Sequence, residues 1–505
     1  MLAIAPLIIA AAQAAVAPAA VDARIFAGKT EGERASFLVV MRDAADVSSA
    51  PTIADRLDRR RFVYESLRAQ AAAAQAPLLQ RLEEAGVRFR SHWLVDMIEV
   101  EGDASLAREL SARDEVSRIV ANVPVPLRLS EPLPPRASPR DAGAVADVNI
   151  VKIGAPSLWT SGFTGEGVVV GVADTGFEWT HPALAQRYRG ADGDPSYAWH
   201  DAVHDAVPGN RCGSDAPEPC DDEGHGTGTA ALAVGEGGIG AAPGATLIGC
   251  RNMDQGNGTP ARYTECFEWL LAPTDANGGN PRLDLGADVI NNSWTCPPSE
   301  GCTDPEVLKG VVEAVRAAGV AVVFAAGNDG SMAAGGPLCS TVDEAPAIYA
   351  ASFSVGATSI DDTLAAFSSV GPVVADGSSR IKPDLMAPGV SLRTAAPGGV
   401  YTSEFSGTSG AAPQVAGAIA LLWSAAPELR GDIDRTEQLL ERGAIPLRLA
   451  ATCSGLSGED VPNPYFGWGR LDVGGSYALM IATRRDDLVR LRILPPGPRP
   501  LGPRP

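Results

Sequence analysis

The fold of this chain is decided by three glycine-rich segments: VVVGVADTG (168–176), GHGTGTAALAVG (224–235) and FSGTSGAAP (405–413). In chain order they present Asp174, His225 and Ser409. A carboxylate that orients an imidazole, which in turn activates a hydroxyl, is the minimum set of groups for nucleophilic acyl transfer. The order Asp, His, Ser is informative because unrelated hydrolase folds build this geometry in different orders.

Each of the three residues also has an ordinary structural interpretation. Asp174 ends an apolar strand, where open parallel sheets place their sites, but an Asp there can also cap the next turn. His225 opens an Ala-rich helix between two glycines, and a lone histidine at a helix start is often structural. Ser409 precedes the buried-helix pattern GAAPQVAGAIALLW (410–423), where a lone Ser is commonly an N-cap.

A fourth segment and the other histidines favour the catalytic interpretation. VFAAGNDG (323–330) ends a strand and places Asn328 in a Gly-flanked turn. Its amide and the backbone N–H of Ser409 can together stabilise an oxyanion. The four remaining histidines lie in an N-terminal unit, a Pro-containing turn and an acidic loop: His92, His181, His200 and His204.

These segments resemble the subtilisin superfamily of serine proteases, and the resemblance covers nearly all of residues 148–480. The bacillopeptidase F-like branch is indicated by HPAL (181–184), CRNMDQGNGTPARYTEC (250–266), INNSW (290–294) and YFGWGRLDV (465–473). The resemblance implies a serine endopeptidase that works through an acyl-enzyme. It assigns the triad to Asp174, His225 and Ser409, the oxyanion hole to Asn328, and a substrate-binding edge beside the S1 pocket to Ser293, Trp294 and Thr295.

The chain departs from this family at four positions near the triad. Gly410 replaces the usual Met after Gly-Thr-Ser, and Gln414 replaces the His that usually follows the Pro of this segment. Gly228 stands where a second His is common, and Thr295 replaces a Gly. A β-branched Thr295 would crowd the substrate edge if a glycine's freedom is needed there. The departures leave open a catalytically weakened, subtilisin-fold binding or scaffold protein. An esterase is disfavoured because no G-x-S-x-G elbow surrounds Ser409.

The fold class expected is α/β, with a subtilisin-like parallel sheet covered by helices on both faces and preceded by a small α+β propeptide domain. Apolar runs without polar alternation predict buried parallel strands. Those runs are Val168–Ala173, Ala245–Cys250, Val289–Asn292, Val320–Ala325 and Ala351–Gly356.

The chain is predicted to divide into five parts. Residues 1–20 have an apolar run and small-x-small sites, which indicate a signal peptide, although a buried helix is the alternative. Residues 36–124 resemble the family's inhibitory propeptide, with predicted strands at 36–42, 93–102 and 116–122 and helices at 61–85 and 103–113. An exposed linker with the processing site (125–147), a catalytic domain (148–482) and a Pro-rich disordered tail (483–505) follow.

Composition limits the classes of binding partner and the cellular compartments that are compatible with this chain. The 505 residues carry a net charge of −20, which argues against nucleic-acid binding, and no stretch predicts a membrane span. We expect peptide substrates, the chain's own propeptide as an intramolecular inhibitor, and a monomer exported to the periplasm or medium.

The eight cysteines indicate disulfides in an exported chain. Close spacing favours the local pairs Cys212–Cys220 and Cys296–Cys302, and Cys250–Cys266 with Cys339–Cys453 would complete one possible set. No zinc site is expected, because no CxxC occurs. No cofactor is required; structural calcium is possible, but the run Asp221-Asp222-Glu223 is interpreted as a solvated acidic loop.

Overall fold

The computed structural model describes residues 18–122, 125–126, 146–296, 304–333 and 336–487. Nearly all of the predicted signal peptide, most of the linker and the end of the tail lie outside the described residues. The last helix extends to Asp487, past the predicted end of the catalytic domain at residue 482. None of the helices in the described part of the chain has the length and apolar character needed to span a bilayer.

The N-terminal unit is a five-stranded sheet with two helices and its own apolar core. The strands run in the order β1-β5-β2-β4-β3, and all neighbours are antiparallel except β1 and β5. Its elements are β1 (Ala20–Val21), β2 (Ala35–Met41), α1 (Arg56–Ala85), β3 (Phe89–His92), β4 (Met97–Gly102), α2 (Ala104–Ser111) and β5 (Val116–Ala121).

Two details of this unit differ from the sequence prediction. The predicted single strand 93–102 is wrong, because Trp93–Asp96 form the turn of a hairpin between β3 and β4. Helix α1 begins at Arg56 rather than at residue 61, since the Asp55 side chain accepts hydrogen bonds from the backbone N–H groups of Leu57 and Asp58. Local capping therefore extends the helix by more than one turn.

The rest of the described chain forms an α/β domain around a seven-stranded parallel sheet, with strand order β17-β16-β13-β12-β7-β9-β8. The strands of the parallel sheet are β7 (Val169–Asp174), β8 (Trp199–Asp201), β9 (Thr246–Arg251), β12 (Val289–Asn292), β13 (Ala321–Ala325), β16 (Phe353–Thr358) and β17 (Leu385–Pro388). Shorter sheets of two or three strands are formed by β6 (Val125–Pro126), β10 (Met253–Asp254), β11 (Asn257–Gly258), β14 (Met332–Ala333), β15 (Gly336–Pro337), β18 (Leu392–Ala396), β19 (Val400–Phe405), β20 (Thr452–Cys453) and β21 (Leu456–Ser457).

Helices cover both faces of the parallel sheet. They are α3 (Val148–Lys152), α4 (Ala155–Thr160), α5 (His225–Val234), α6 (Pro260–Leu271), α7 (Lys309–Ala317), α8 (Thr408–Ala425), α9 (Ile433–Gly443) and α10 (Val473–Asp487). Alternate residues of β7 face opposite cores: Val170 and Val172 pack with α5 and α8, whereas Val169 and Ala173 pack with α6 and α7. The predicted fold class is confirmed.

The five apolar runs predicted as strands correspond to the five central strands, β9, β7, β12, β13 and β16. The two edge strands, β8 and β17, were not predicted. An edge strand has a neighbour on one side only, so it tolerates polar residues such as His200 in β8. Hydrophobic runs therefore identify the centre of the sheet better than its edges.

The described residues form three disulfides: Cys212–Cys220, Cys250–Cys266 and Cys339–Cys453. The second ties β9 to α6, and the third closes a loop of 114 residues. All three match the set considered from the sequence. The fourth predicted pair involves Cys302, which lies outside the described residues.

The N-terminal unit packs on the face of the domain formed by α6 and α7. Leu38, Val63, Leu67, Leu94 and Met97 belong to the same apolar cluster as those two helices. The side chain of Glu268 in α6 accepts hydrogen bonds from the backbone N–H groups of Trp93 (2.5 Å) and Leu94 (2.8 Å). These contacts define what is called below the N-terminal interface.

Candidate active site

Asp174 and His225 meet at the carboxyl edge of the sheet. Asp174 is the last residue of β7 and His225 is the first of α5; both are buried. The His225 Nδ1–H donates to Asp174 Oδ1 at 2.8 Å, while Thr229 Oγ1 donates to Oδ2 at 3.1 Å. This bond fixes the imidazole tautomer and leaves Nε2 able to accept a proton.

The charge state of His225 is set by two opposing effects. Burial disfavours the imidazolium ion, but the Asp174 carboxylate, with Glu223 and Asp221 farther away, more than offsets burial and raises the pKa of His225 above its ordinary value. Within the described part of the chain, Nε2 has no hydrogen-bond partner. The ring is therefore an available base whose conjugate acid is stabilised.

Two glycines allow β7 and α5 to approach this closely. A Cβ added to Gly226 would lie 1.9 Å from the carbonyl oxygen of Gly176. Gly176 itself has φ +100°, and a Cβ there would lie 1.8 Å from the carbonyl oxygen of Cys220. A side chain at residue 226 would push the start of α5 away from the end of β7, and one at residue 176 would push away the loop that precedes α5.

Ser409 and Asn328 lie on either side of a third glycine. Ser409 is the second residue of α8. The Asn328 Oδ1 accepts hydrogen bonds from the backbone N–H (2.9 Å) and hydroxyl (3.0 Å) of Thr408. A Cβ built on Gly407 would lie 3.0 Å from Ser409 Oγ and 3.7 Å from Asn328 Nδ2. The hydroxyl and the amide donor thus flank one small space.

A scan against family models matches residues 165–469 to the subtilase family. That stretch is more than half of the chain. The chain belongs to the subtilase family. Among curated proteins, it is 33% identical over 447 residues to Bacillopeptidase F of Bacillus subtilis (strain 168), which covers 82% of this chain and 30% of that protein.

Other relatives of this subtilase match a smaller part of it. Subtilisin NAT of Bacillus subtilis subsp. natto is 36% identical over 283 residues, covering 55% of this chain and 61% of that protein. The major intracellular serine protease of Bacillus subtilis (strain 168) is 31% identical over 326 residues, which cover 62% of this chain and 88% of that protein. The chain thus spans less than a third of Bacillopeptidase F and about three fifths of Subtilisin NAT.

Two of the subtilase's departures from its family's usual sequence share one physical reason. The Phe405 ring lies 5.4 Å from the His225 ring, centroid to centroid. A Cβ added to Gly228 would lie 2.8 Å from this ring; one added to Gly410 would lie 2.7 Å from Leu392 Cδ1 and 3.3 Å from the ring. Phe405 therefore fills the space that a side chain at residue 228 would occupy, and Phe405 and Leu392 together fill the space at residue 410.

The predicted substrate-binding segment is only partly accessible. Ser293 Oγ donates to the Ser409 carbonyl oxygen at 3.0 Å, which joins the segment to the start of α8. Trp294 is buried, stacks on Tyr263 at 3.7 Å and donates its indole N–H to the Ala173 carbonyl oxygen at 3.1 Å. Thr295 is partly exposed and donates its hydroxyl to Glu344. Thus Trp294 supports the site from the core, and Thr295 faces its surface.

The interpretation of Asp221-Asp222-Glu223 as a solvated loop is wrong for Asp221 and for the Asp222 side chain, whereas Glu223 is exposed. Asp221 is buried and accepts hydrogen bonds from Thr175 Oγ1 (2.9 Å), the Gly224 N–H (2.7 Å) and the Thr227 N–H (2.9 Å). Burial raises the pKa of Asp221 to about 6, although these hydrogen bonds lower it. Asp221 therefore pins the first turn of α5 to the loop after β7. The sequence signal was an Asp four residues before a Gly-flanked His.

The described residues were also compared with the requirements of a metal site. Within the described ranges, no group of three or more His, Cys, Asp or Glu side chains is arranged to hold a metal ion.

Proposed function

We propose that this subtilase is a serine endopeptidase made as a self-processed precursor. The observation that carries the proposal is the buried Asp174–His225 pair, whose His225 Nε2 is available beside α8, the helix whose second residue is Ser409. Family membership and the serine protease named among the relatives support the same reaction class. No cofactor is needed, because nucleophile, base and donors are all protein groups.

The reaction follows from these positions. Ser409 Oγ attacks the carbonyl carbon of a peptide bond as His225 Nε2 takes the hydroxyl proton, and Asp174 stabilises the resulting imidazolium ion. The C–N bond then breaks, and His225 gives the proton to the leaving amine, which leaves an ester on Ser409. A water molecule attacks the carbonyl carbon of this ester while His225 Nε2 takes a proton from the water. The bond to Ser409 Oγ then breaks, and His225 returns the proton to Oγ, which releases the carboxylic acid product.

Asn328 has the position of an oxyanion donor in this scheme. Its Oδ1 is held by Thr408, so Nδ2 is turned to the side where Ser409 Oγ lies. The amide and the Ser409 backbone N–H receive the negative charge that develops on the carbonyl oxygen. Loss of one such donor costs about 3–4 kcal/mol of transition-state stabilisation.

The N-terminal unit is proposed to act as an intramolecular inhibitor that is cut off within the linker 125–147. Three arginines of α1 support a specific attachment. Arg60, fully buried, donates to the carbonyl oxygens of Leu283 (2.9 Å) and Ala287 (2.7 Å). Arg56 pairs with the buried Asp288 at 3.0 Å. Arg59 donates to the carbonyl oxygens that end α7, at Arg316 and Ala317.

The chain leaving this unit also pairs with the domain. Strand β6 pairs with β11 in antiparallel register, Val125 with Gly258 and Pro126 with Asn257. Tyr263, which stacks on Trp294, lies directly against Gly258: a Cβ there would be 2.1 Å from its hydroxyl oxygen. Because Trp294 adjoins the Ser293 contact to Ser409, the linker begins near the candidate site.

Export and a monomeric state complete the proposal. The three disulfides favour an oxidising compartment. The predicted signal peptide is consistent with the same destination, periplasmic or secreted.

A fluorophosphonate probe tests the reaction class. Wild-type protein should be labelled on Ser409 and should release a fragment that ends within 127–147. Ser409→Ala should abolish both labelling and processing. Ser424→Ala, at the far end of the same helix and bonded to Glu166 at 3.1 Å, should abolish neither. A folded wild-type protein that takes no label would overturn the proposal and favour the binding or scaffold alternative.

A further inference from the structure

The carbonyl oxygen of Ser409, the proposed nucleophile, lies at a gap in the hydrogen-bond ladder of α8. In an α-helix, a carbonyl oxygen accepts from the backbone N–H four residues later. For Ser409 that residue is Pro413, which lies inside α8 and has no N–H. Because Ser409 is buried and a buried carbonyl group without a donor is destabilising, this position favours a donor from another element.

Ser293 provides such a donor. Its side chain is buried, and its hydroxyl donates to the Ser409 carbonyl oxygen at 3.0 Å. The Asn291 Nδ2 in turn donates to Ser293 Oγ at 2.9 Å. A serine hydroxyl carries a single proton, so the bond from Asn291 in β12 leaves that proton directed at α8. The three residues form a chain of hydrogen bonds that runs from the sheet to the nucleophile.

The peptide group that follows Ser409 is bonded at both ends. Its carbonyl oxygen accepts from Ser293, and its N–H, which belongs to Gly410, donates to the Gly407 carbonyl oxygen at 3.0 Å. These two bonds restrict rotation about the Cα–C bond of the residue whose Oγ must reach the substrate. A displacement of about 1 Å can cost about 100-fold in rate, so the orientation of this peptide group matters for the reaction.

We propose that Ser293 is a positioning residue for Ser409. Its hydroxyl replaces the N–H that Pro413 cannot supply and fixes the turn of α8 that carries the nucleophile. The inference rests on the proposed function and adds a residue to it. It differs from the substrate-binding role that the resemblance implies, because a hydroxyl whose one proton is directed at α8 has no proton left to donate to a bound peptide.

Gln414 bonds to the next carbonyl group of the same turn. Its amide nitrogen donates to the carbonyl oxygens of Gly410 (2.8 Å) and Pro388 in β17 (2.6 Å), and its Oε1 accepts from Asn149 at 3.2 Å. A neutral imidazole has one N–H only, so the family's usual His could not make both donations. Side chains therefore bond to two consecutive carbonyl groups, those of residues 409 and 410.

The test uses Pro413→Ala, which returns a backbone N–H to the position four residues after Ser409. Ser293→Ala should lower kcat for a peptide substrate by about 10- to 100-fold. Its KM should change by about threefold at most, and labelling of Ser409 by a small fluorophosphonate should slow in parallel with kcat. In the Pro413→Ala background, Ser293→Ala should lower kcat by about fivefold at most, because the helix then supplies the donor itself.

Ser476→Ala is the matched control. This buried serine of α10 also donates its hydroxyl to a backbone carbonyl oxygen, that of Asp472 at 2.9 Å. The change should lower the stability to urea by an amount similar to that of Ser293→Ala. It should leave kcat and the labelling rate unchanged in both backgrounds. All variants are assayed as the full chain, with kcat normalised to the total amount of labelled Ser409.

The outcomes separate the two proposals. A raised KM with a normal labelling rate would show that Ser293 binds substrate, and equal losses of kcat in the two backgrounds would show that it does not act through the gap left by Pro413. Either result, or an unchanged kcat, would overturn the inference and leave the protease intact. A folded wild-type protein that neither takes the label nor cleaves peptides would overturn the proposed function itself.

A second variant keeps the inference testable if Ser293→Ala does not fold. Asn291→Ala removes the donor that orients the Ser293 hydroxyl, so kcat should fall in the wild-type background and fall less in the Pro413→Ala background. Equal losses in the two backgrounds, or no loss in either, would overturn the inference.

Discussion

Two histidine–carboxylate sites in this subtilase use the same groups for different ends. At the edge of the parallel sheet, Asp174 binds one nitrogen of His225 and leaves Nε2 without a partner among the described residues. Beside the N-terminal interface, Glu265 is shared by His200 (2.8 Å), His204 (3.0 Å) and Arg90 of the N-terminal unit (3.1 Å).

The difference lies in the second ring nitrogen. His204 has both nitrogens bound, Nδ1 by Asp215 and Nε2 by Glu265. Burial opposes ionisation of Glu265, but its hydrogen bonds from His200 and His204 hold the pKa of that carboxyl well below its ordinary value. This second site is an ionic cross-link, whereas His225 can exchange a proton. Pairing with a carboxylate thus does not make a histidine a base; an available nitrogen does.

The largest expected effect comes from disrupting the Asp174–His225 pair. Asp174→Asn should lower kcat by about 10⁴-fold, because the amide no longer favours the required tautomer or stabilises the imidazolium ion. Glu265→Gln, the matched change at the other site, should alter kcat less than threefold. Peptide hydrolysis measures both. A loss below tenfold for Asp174→Asn would remove the functional contrast between the two sites.

A smaller effect concerns the support of the His225 ring. Gly228→Ala places a methyl group against Phe405, so we expect a loss of about 1–3 kcal/mol in the free energy of unfolding and a lower kcat/KM, by about tenfold, as the imidazole shifts. Phe405→Ala combined with Gly228→Ala should recover most of the stability. Urea unfolding and peptide hydrolysis are measured for the wild type, the two single variants and the double variant, which together form a double-mutant cycle. Additive losses would show that Phe405 and Gly228 do not interact.

The pH dependence of activity tests the raised pKa of His225. A general base must be neutral, so kcat/KM should fall about tenfold per pH unit below this pKa. The midpoint should lie above the ordinary value of 6.5. His204→Gln should leave the midpoint in place, since His204 is not the base. A midpoint at or below 6.5 would contradict the role of Asp174 in stabilising the imidazolium ion.

The smallest expected effect concerns the N-terminal interface. Buried His92 lies 3.4 Å from Glu268 of α6, with Glu265 and Glu99 farther away; burial lowers its pKa, but Glu268 raises it more, so the net pKa is raised. The protonated ring therefore favours attachment, which is strongest below the ordinary histidine pKa and weakens as pH rises through the raised value.

Gel filtration of the self-cleaved, probe-inactivated protein measures this attachment. More N-terminal unit should remain bound at about pH 6 than at about pH 9, by a few fold. His92→Gln should flatten the difference, while Arg81→Gln, which breaks the Arg81–Glu109 pair inside the unit, should preserve it. Equal retention at both pH values in the wild type would be the contrary result.

The sequence predicted those elements of the fold that depend on a local pattern of residues. The central strands were recognisable because residues buried on both faces form continuous apolar runs, as in Val169–Asp174. The start of α1 and the hairpin at Trp93–Asp96 were missed, because one capping side chain and one short turn decided them. Such signals are a single residue long and compete with stronger neighbouring patterns.

By itself, the sequence determined the family and the parallel α/β architecture; it also predicted an N-terminal unit and the identity and order of the candidate triad. Glycines and small residues at strand ends and helix starts restrict the backbone locally, so they can be recognised in the chain. The tertiary structure alone decided that Asp221 is buried, that Phe405 fills the space beside Gly228 and that Glu344 meets Thr295. Those contacts join residues far apart in the chain, and the packing of whole elements determines which of many polar and aromatic side chains come together.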